Sequence, residues 1–320
     1  MPLPGPPEAP EQVHVFDQRE IDAVHAALAA RRPLLVRGEP GVGKTQLAKA
    51  VAMDLGRAFV QHVIDIRTES RDLLWHFDAV GRLADAQLRG ALAGRSGGKS
   101  ENVTAASAVL QRELAVEHYL HPRALWWAFN WEQARERAEQ LKRPVPELLP
   151  GCDPANGVVV LIDEIDKAES DVPNGLLEAL GAGCFTPQGM TEPVAISGPA
   201  PLVIITTNEE RSLPDAFLRR CLVLVLSLPE GDEALADHLV ARGQAHFRGA
   251  DETVLREAAE QLIADRHAAE QQHWRPLPGQ AEYLDLIRAV RHLAAQPDKQ
   301  KELLRQIKRY VLRKHLGTPV

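Results

Sequence analysis

The sequence predicts a three-layer α/β domain with a mostly parallel sheet, followed by a smaller α-helical domain. Short apolar runs alternate with segments of helical periodicity as far as residue 228, and this alternation is typical of parallel sheets covered by helices on both faces. Helical patterns then dominate from Pro229 to the end. With 320 residues, the chain is long enough for one large domain and one smaller one.

The elements of this fold are predicted one after another along the chain. The runs taken as strands are apolar throughout, as expected for strands that are buried on both faces. The helices combine good helix formers with apolar residues at helical spacing. The predicted order is helix EIDAVHAALAA, strand PLLV, helix TQLAKAVAMDL, strand AFVQHVI, strand VVVLI, helix LLEAL, strand PLVIITT and strand CLVLVLSLP.

The chain divides into three predicted parts. Residues 1–12 form a proline-rich tail that we expect to be disordered, residues 13–228 form the α/β domain, and residues 229–320 form the helical domain. The alternation is interrupted between about residues 68 and 150, which we interpret as an insert. Within the insert, the Gly/Ser-rich stretch GRSGGKSEN, residues 94–102, is predicted to be mobile.

The insert also carries a cluster of aromatic residues, Trp126, Trp127, Phe129 and Trp131. Rings at this spacing cannot all lie on one side of a helix, although Trp127 and Trp131 are i,i+4 neighbours. We expect the cluster to pack in the core beneath the insert. The alternative is an exposed anchor for a partner protein.

Composition and charge narrow the class of protein. The net charge of −7 disfavours a surface that binds nucleic acid throughout. The 3 cysteines are far apart and form no C-x-x-C pair, which fits a reducing compartment rather than a zinc site. The sequence shows neither a basic and apolar leader nor an apolar run approaching about 18 residues, so we expect a cytoplasmic protein without a membrane span.

The segment GEPGVGKT, residues 38–45, matches the phosphate-binding pattern G-x-x-x-x-G-K-[ST] in full. It lies between a predicted strand and a predicted helix, where glycines allow successive N–H groups to point at phosphate oxygens. We predict that Lys44 contacts the terminal phosphates and that Thr45 binds Mg²⁺. The residues predicted to bind the nucleotide are Gly38, Glu39, Pro40, Gly41, Val42, Gly43, Lys44, Thr45 and Gln46.

Two acidic residues, Asp163 and Glu164, follow the apolar run VVVLI. They stand at the carboxyl end of a predicted parallel strand, where open α/β sheets place their ligands. Asp163 can join Thr45 in holding Mg²⁺ and contact the nucleotide. Glu164 is placed to polarise an attacking water, and such a glutamate favours hydrolysis over transfer to another acceptor. The alternative is a solvated acidic turn.

Polar residues also flank the two strands that come later in the sequence. Asn208 follows PLVIITT, where its amide can lie beside the terminal phosphate and orient water; the alternative is an ordinary asparagine that ends a strand. Arg219 and Arg220 precede the last strand. Either guanidinium can project into the nucleotide site of a neighbouring subunit, although two adjacent arginines are usually a solvated face.

Over nearly its whole length after the tail, the chain resembles the AAA+ ATPases of the MoxR-like branch. GEPGVGKT resembles the Walker A loop, VVVLIDEID the Walker B strand, ITTNEE the sensor 1 strand, and LPDAFLRRC the segment with the arginine finger, Arg220 being the first candidate and Arg219 the second. The resemblance implies a P-loop NTPase fold with a parallel five-stranded sheet in the order 5-1-4-3-2 and a C-terminal helical lid. It also implies ATP and Mg²⁺ as ligands, and a ring, commonly a hexamer, that works beside a partner such as a von Willebrand A-domain protein.

The sequence departs from this family in the lid and the insert. Members usually carry a sensor 2 arginine at the start of a late lid helix, but the matching stretch PLPGQAEYLDLIRAV has no arginine near Gln280 or Ala281. Arg288 comes about two turns later and is not assigned to this role. The insert is longer than the family leads us to expect.

We therefore predict a Mg²⁺-dependent, ring-forming ATPase that remodels or activates a partner protein complex. A nucleic-acid-directed motor is one alternative, which the acidic balance disfavours. A non-hydrolysing switch or scaffold is the other, which Glu164 and Arg220 disfavour. Guanine is not distinguished from adenine, since no motif such as N-K-x-D is present. The basic stretch KQKELLRQIKRYVLRKH predicts a lid helix with a solvated face, or else a contact with an acidic partner or nucleic acid.

Overall fold

The computed structural model describes residues 1–3, 12–95, 112, 114–169 and 171–312. Within these ranges the strands are β1 (Pro2–Leu3), β2 (Gln12–Val13), β3 (Leu34–Arg37), β4 (Arg57–Val63), β5 (Trp75–Phe77), β6 (Leu120–Pro122), β7 (Asp153–Asp163), β8 (Cys184–Phe185), β9 (Val194–Ala195), β10 (Leu202–Thr207) and β11 (Leu222–Val225). The α-helices are α1 (Gln18–Ala30), α2 (Lys44–Asp54), α3 (Ala79–Arg95), α4 (Ala124–Phe129), α5 (Trp131–Gln140), α6 (Asp171–Ala182), α7 (Asp215–Leu218), α8 (Asp232–His246), α9 (Glu252–Gln271), α10 (Gln280–Leu293) and α11 (Pro297–Val311). Short 3₁₀ helices lie at Ser70–Leu73, Val116–Tyr119 and Ile165–Lys167.

The central sheet has 5 parallel strands in the spatial order β11-β3-β10-β7-β4. Numbered in chain order within this sheet, the strands give the predicted arrangement 5-1-4-3-2, which is therefore confirmed. In the register, Leu34 of β3 lies beside Ile204 of β10 and Leu222 of β11. Because the strands are parallel, the carboxyl ends of β3, β10 and β7 lie side by side at one edge of the sheet.

Helices cover both faces of this sheet, because successive side chains of each strand point to opposite faces. On one face, Leu34 and Val36 of β3 pack in a buried cluster with Leu47 and Val51 of α2. On the other face, Leu35 packs in a second cluster with residues of α4 and α6. The predicted three-layer α/β/α arrangement is confirmed.

The aromatic cluster of the insert packs in the interior. Trp126 and Phe129 are fully buried and Trp127 is 5% exposed, while Trp131 is partly buried against the same cluster. The chain breaks between α4 and α5 at Asn130, whose side chain accepts an N–H of α5 at 3.1 Å and caps that helix. One continuous helix would place these rings on different sides. Because the chain breaks at Asn130, the rings can all point inward. Core packing of the cluster is confirmed, and these residues do not form an exposed anchor.

Other parts of the insert lie at the surface of the domain. Strands β5 and β6 pair antiparallel with each other and stand outside the central sheet. Helix α3 precedes residues 96–111, which lie outside the described ranges. The prediction that residues 94–102 are mobile falls almost entirely on that stretch.

Helices α8 to α11, which we call the lid, pack around an apolar cluster of their own. Its fully buried members include Leu239, Leu255, Tyr283, Ile287 and Leu304. The predicted helical structure after Pro229 is thus present over residues 232–311. No helix within the described ranges is both long and apolar enough to cross a membrane.

The predicted disordered tail falls mostly outside the described residues, which omit 4–11. Its two ends differ from that prediction. Strand β1 pairs antiparallel with β2, and the side chain of Leu3 is buried. Burial of this apolar side chain and the ladder hydrogen bonds favour an ordered conformation at these ends.

Leu125→Ala should lower the free energy of unfolding by about 2–5 kcal/mol, because Leu125 of α4 is fully buried and its truncation leaves a cavity. Leu88→Ala in α3 is the matched control, since the same atoms are removed from a residue that is 61% exposed. The control substitution should change the free energy of unfolding by no more than about 0.5 kcal/mol. Urea unfolding followed by circular dichroism measures both values. Equal effects would contradict the placement of α4 in the core.

Candidate active site

The loop between β3 and α2 contains the residues predicted to bind the nucleotide, from Gly38 to Gln46. It packs closely against the lid and against the chain that leads into the lid. Gly38 has φ 151°, and a Cβ there would lie 2.2 Å from the carbonyl oxygen of Leu226. Gly41 has φ 82°, and a Cβ there would lie 2.8 Å from the Cβ of Ala281. Both positions therefore require glycine.

Helix α2 begins at Lys44 with Gly43 as its N-cap, and no side chain caps its first turn. The first N–H groups of the helix have no intrahelical acceptors, and the helix dipole places positive charge at this end. Such an end attracts phosphate groups. The local geometry fits the predicted phosphate-binding role of the loop.

The ammonium group of Lys44 is buried and hydrogen-bonded within the site. It donates to the carbonyl oxygens of Gly38 at 2.7 Å and Glu39 at 3.0 Å, and to Oδ1 of Asn208 at 2.8 Å. These bonds use its three hydrogens. Burial lowers the pKa of Lys44, and neighbouring carboxylates, Asp163 foremost, oppose this shift. A phosphate bound in the loop would compete with these acceptors for the ammonium group of Lys44.

Asp163 ends β7 next to Thr45, as predicted for the two Mg²⁺ ligands. Its carboxylate accepts the Thr45 hydroxyl at 3.2 Å, Nε2 of Gln61 at 3.2 Å and the Thr206 hydroxyl. Hydroxyl and carboxylate oxygens are the ligands that Mg²⁺ prefers. No group of three or more His, Cys, Asp or Glu in the described ranges could hold a metal. Mg²⁺ bound at this place would be held by Thr45 and Asp163 together with phosphate oxygens.

Glu164 follows β7 with φ 62°, a backbone conformation that is uncommon for residues other than glycine. Its N–H donates to the Thr206 hydroxyl at 2.9 Å. Its carboxylate accepts Nδ2 of Asn208 at 3.2 Å and forms an ion pair with Lys167. The hydrogen bond to Glu164 raises the pKa of Lys167. The predicted water activator thus has two partners within the protein.

Asp166 fixes the segment that follows β10, a role that the sequence analysis missed. The residue is 2% exposed. Its carboxylate accepts the N–H groups of Asn208 at 3.3 Å and Glu210 at 2.9 Å. Buried carboxylates need such donors, and the bonds in turn hold the donors in place. The available signal was a second aspartate shortly after Asp163 in the stretch DEID.

The lid contacts the loop through Arg266 of α9, a second residue that the sequence analysis missed. This side chain is 14% exposed. Its guanidinium donates to both carboxylate oxygens of Glu39, at 2.9 and 3.1 Å, and to the carbonyl oxygen of Pro278 at 3.1 Å. Arg288, the arginine left unassigned above, instead pairs with Asp285 on its own helix.

A cavity of about 1000 Å³ opens beside the loop, between the carboxyl edge of the sheet and the lid. Its lining includes Glu39 and Asn208 from the α/β domain and Ile263 and Arg266 from the lid. Ligand pockets usually measure roughly 300–1,000 Å³. The space is therefore sufficient for a nucleoside triphosphate.

Arg219 and Arg220 lie at the opposite end of the sheet from the loop. Strand β11 runs parallel to β3, so that the two strands start side by side. The arginines lie just before β11, separated from it by Cys221, whereas the loop directly follows β3. Both residues are exposed, and neither guanidinium has a hydrogen-bond or ion-pair partner among the described residues. The structure brings together the other predicted site residues but not these two.

The fold and the loop define a P-loop nucleoside triphosphatase, with its phosphate site at the carboxyl edge of a parallel sheet. Residues 18–184, just over half of the chain, match the family of AAA ATPase domains. The chain therefore belongs to this family and is an ATP hydrolase.

Two variants of RuvB from Thermotoga maritima are solved structures that are similar to this chain. Their sequence identities are 14% and 15%, and their TM-scores are 0.45 and 0.46. Each match covers 91% of this chain and 67% or 68% of the RuvB chain. No curated protein matches the sequence.

Asp166→Asn should slow ATP hydrolysis by roughly 10- to 100-fold, and should reduce it more than ATP affinity. Asparagine retains one acceptor oxygen and adds a donor, so that one N–H after β10 loses its partner and Asn208 shifts. Steady-state turnover and nucleotide titration measure the two effects. Asp54→Asn, an exposed position at the end of α2, is the control and should leave both unchanged. Unchanged turnover in Asp166→Asn would contradict its positioning role.

Proposed function

We propose that the protein is a ring-forming, Mg²⁺-dependent ATPase of the MoxR-like branch, in which each subunit supplies an arginine to its neighbour's nucleotide. The placement of Arg219 and Arg220 carries this proposal. Both are exposed, and they lie at the end of the sheet away from the loop of their own chain. A guanidinium so placed acts in trans, that is, on the nucleotide of the next subunit. There it stabilises the charge that develops on the phosphate during hydrolysis.

The residues at the carboxyl edge have distinct roles in this proposal. Lys44 and the N–H groups of the loop bind the phosphates of ATP. Thr45 and Asp163 hold Mg²⁺, which when bound neutralises phosphate charge. Glu164 accepts the proton of the attacking water, and Asn208 orients that water.

Glu164 has to change partners before it can act as a base. One oxygen of its carboxylate accepts a hydrogen bond from Nδ2 of Asn208 and the other accepts one from Nζ of Lys167, so that both oxygens are occupied by donors of the protein. When a terminal phosphate accepts a hydrogen bond from Lys44, Oδ1 of Asn208 loses Lys44 as its donor. The amide of Asn208 is then free to turn, and Glu164 loses one of its two partners.

The ring's client, in this proposal, is a protein complex that it remodels or activates. The exposed apolar side chains of Val80, Leu83 and Leu88 on α3 of the insert support this reading, because apolar surface favours protein contacts. The net charge of −7 favours a protein client over nucleic acid. The resemblance to the MoxR-like branch suggests a hexamer and a partner with a von Willebrand A domain.

Glu164→Gln should bind ATP and slow its hydrolysis by roughly 10²–10⁴-fold, because glutamine keeps the shape of the side chain but cannot accept the proton of the water. Single-turnover assays with labelled ATP separate binding from hydrolysis. Glu192→Gln, at an exposed position of the same domain, is the matched control and should hydrolyse ATP at the wild-type rate. Equal rates in the two variants would remove Glu164 from the proposed mechanism.

Mixing two impaired variants tests the ring directly. Arg220→Ala should bind ATP but hydrolyse it up to about 10³-fold more slowly, because the finger acts mainly on the transition state. Lys44→Ala should lose ATP binding while keeping its finger. Rings that contain both variants should regain part of the activity, since some interfaces then pair an intact loop with an intact finger.

Native mass spectrometry establishes whether mixed rings form in that experiment. If they form and no activity returns, the role in trans is wrong. If Arg220→Ala alone keeps wild-type turnover, Arg219 takes the role, and Arg219→Ala is then mixed with Lys44→Ala in the same way.

A further inference from the structure

Arg32, between α1 and β3, reaches the segment that carries the proposed finger. Its Nε donates to the carbonyl oxygen of Arg220 at 3.0 Å, and its Nη2 donates to the carbonyl oxygen of Arg219. One guanidinium thus binds two consecutive carbonyl groups. The planar fork of arginine suits such a pair of acceptors, whereas the ammonium of lysine is a single point charge.

The segment bound by Arg32 is short and lacks a long helix to orient it. Helix α7 is a single turn, and the chain leaves it for β11 through Arg219 and Arg220. Carbonyl groups at the end of a helix lack intrahelical donors and need partners from elsewhere. Arg32 provides donors for two of them.

Buried side chains hold this segment on both sides of the exposed arginines. Phe217 and Cys221 are both buried, which fixes the chain before and after the pair. Between these anchors, the peptide groups of Arg219 and Arg220 are held by Arg32. The direction of a side chain follows from the orientation of its backbone, so this contact influences where the two guanidiniums project.

We propose that Arg32 is a positioning residue that aims the finger at the neighbouring subunit. This inference rests on the role in trans proposed above. Arg32 precedes β3, whereas the nucleotide loop follows that strand, so Arg32 stands at the end of the sheet away from its own nucleotide site. Its loss therefore impairs the site of the neighbour and spares the site of its own subunit.

Arg32→Gln removes the fork and tests this role in the full-length ring. We expect ATP turnover to fall by about 10-fold or more, with ATP affinity changed by less than about twofold. The fall in ATP turnover should be no larger than the fall caused by Arg220→Ala. Arg32→Lys should restore only part of the turnover. Arg31→Gln removes the adjacent, exposed arginine and is the matched control, with wild-type turnover expected.

Mixing experiments assign Arg32 to one side of the subunit interface. Rings of Arg32→Gln with Lys44→Ala should be more active than the two variants separately, because an intact loop then meets an intact finger. Rings of Arg32→Gln with Arg220→Ala should show no such gain, since both changes affect the finger. If Arg32→Gln merely destabilised the subunit, its mixtures with Lys44→Ala and with Arg220→Ala would show the same activity.

Two results would overturn the proposal for Arg32 directly: wild-type turnover in Arg32→Gln, or a gain when it is mixed with Arg220→Ala. It would also be overturned if mixed rings of Arg32→Gln and Lys44→Ala gained no activity while mixed rings of Arg220→Ala and Lys44→Ala did. That outcome would leave the finger in trans intact. If the reference pair also fails in mixed rings, both proposals fall. Should circular dichroism show that Arg32→Gln is unfolded, Arg32→Lys is put through the same mixtures.

Discussion

The buried ammonium of Lys44 is the interaction on which the rest of the site depends. It binds carbonyl groups of the loop after β3 and the side chain of Asn208 after β10. Asn208 in turn contacts Glu164 after β7. These strands are neighbours in the sheet, so that residues far apart in the sequence meet at one edge. Because a buried charge without partners is costly, the positions of the loop and of Asn208 are fixed together.

The charges at this edge favour the binding of cations from outside the subunit, as the proposed mechanism requires. By formal charge, the carboxylates of Asp163, Glu164 and Asp166 outnumber the ammonium groups of Lys44 and Lys167. A triphosphate adds further negative charge to the same small volume. In the proposed mechanism, Mg²⁺ compensates part of it, and a guanidinium from the neighbouring subunit compensates the part that develops during hydrolysis. If the proposed mechanism holds, the charges of the isolated subunit leave its site incomplete.

The sequence predicts those features that depend on local patterns. The sheet and the meeting of Asp163 with the loop follow from apolar runs that end in polar residues, since parallel strands place such ends at one edge. The order of the strands was available only through the resemblance to a family. Contacts such as Arg266 with Glu39 were not predictable, because an arginine on a surface helix has no local pattern that identifies its partner. Leu3 shows the same limit: its proline-rich surroundings predict disorder, and only the surface that it meets explains its burial. The catalytic roles remain predictions.

The close packing of Gly38 against Leu226 determines where the lid can pivot. The N–H of Leu226 donates to the carbonyl oxygen of Arg37 at 2.8 Å, and its own carbonyl oxygen occupies the space that a side chain at position 38 would need. Leu226 is therefore fixed to the sheet and to the loop at once. A rotation of the lid about this connection would therefore begin beyond Leu226, within residues 227–231, where Gly231 has φ 86°. These residues lie next to the predicted phosphate-binding loop, so that a small turn of the chain at this point would move the far lid helices through a much larger arc.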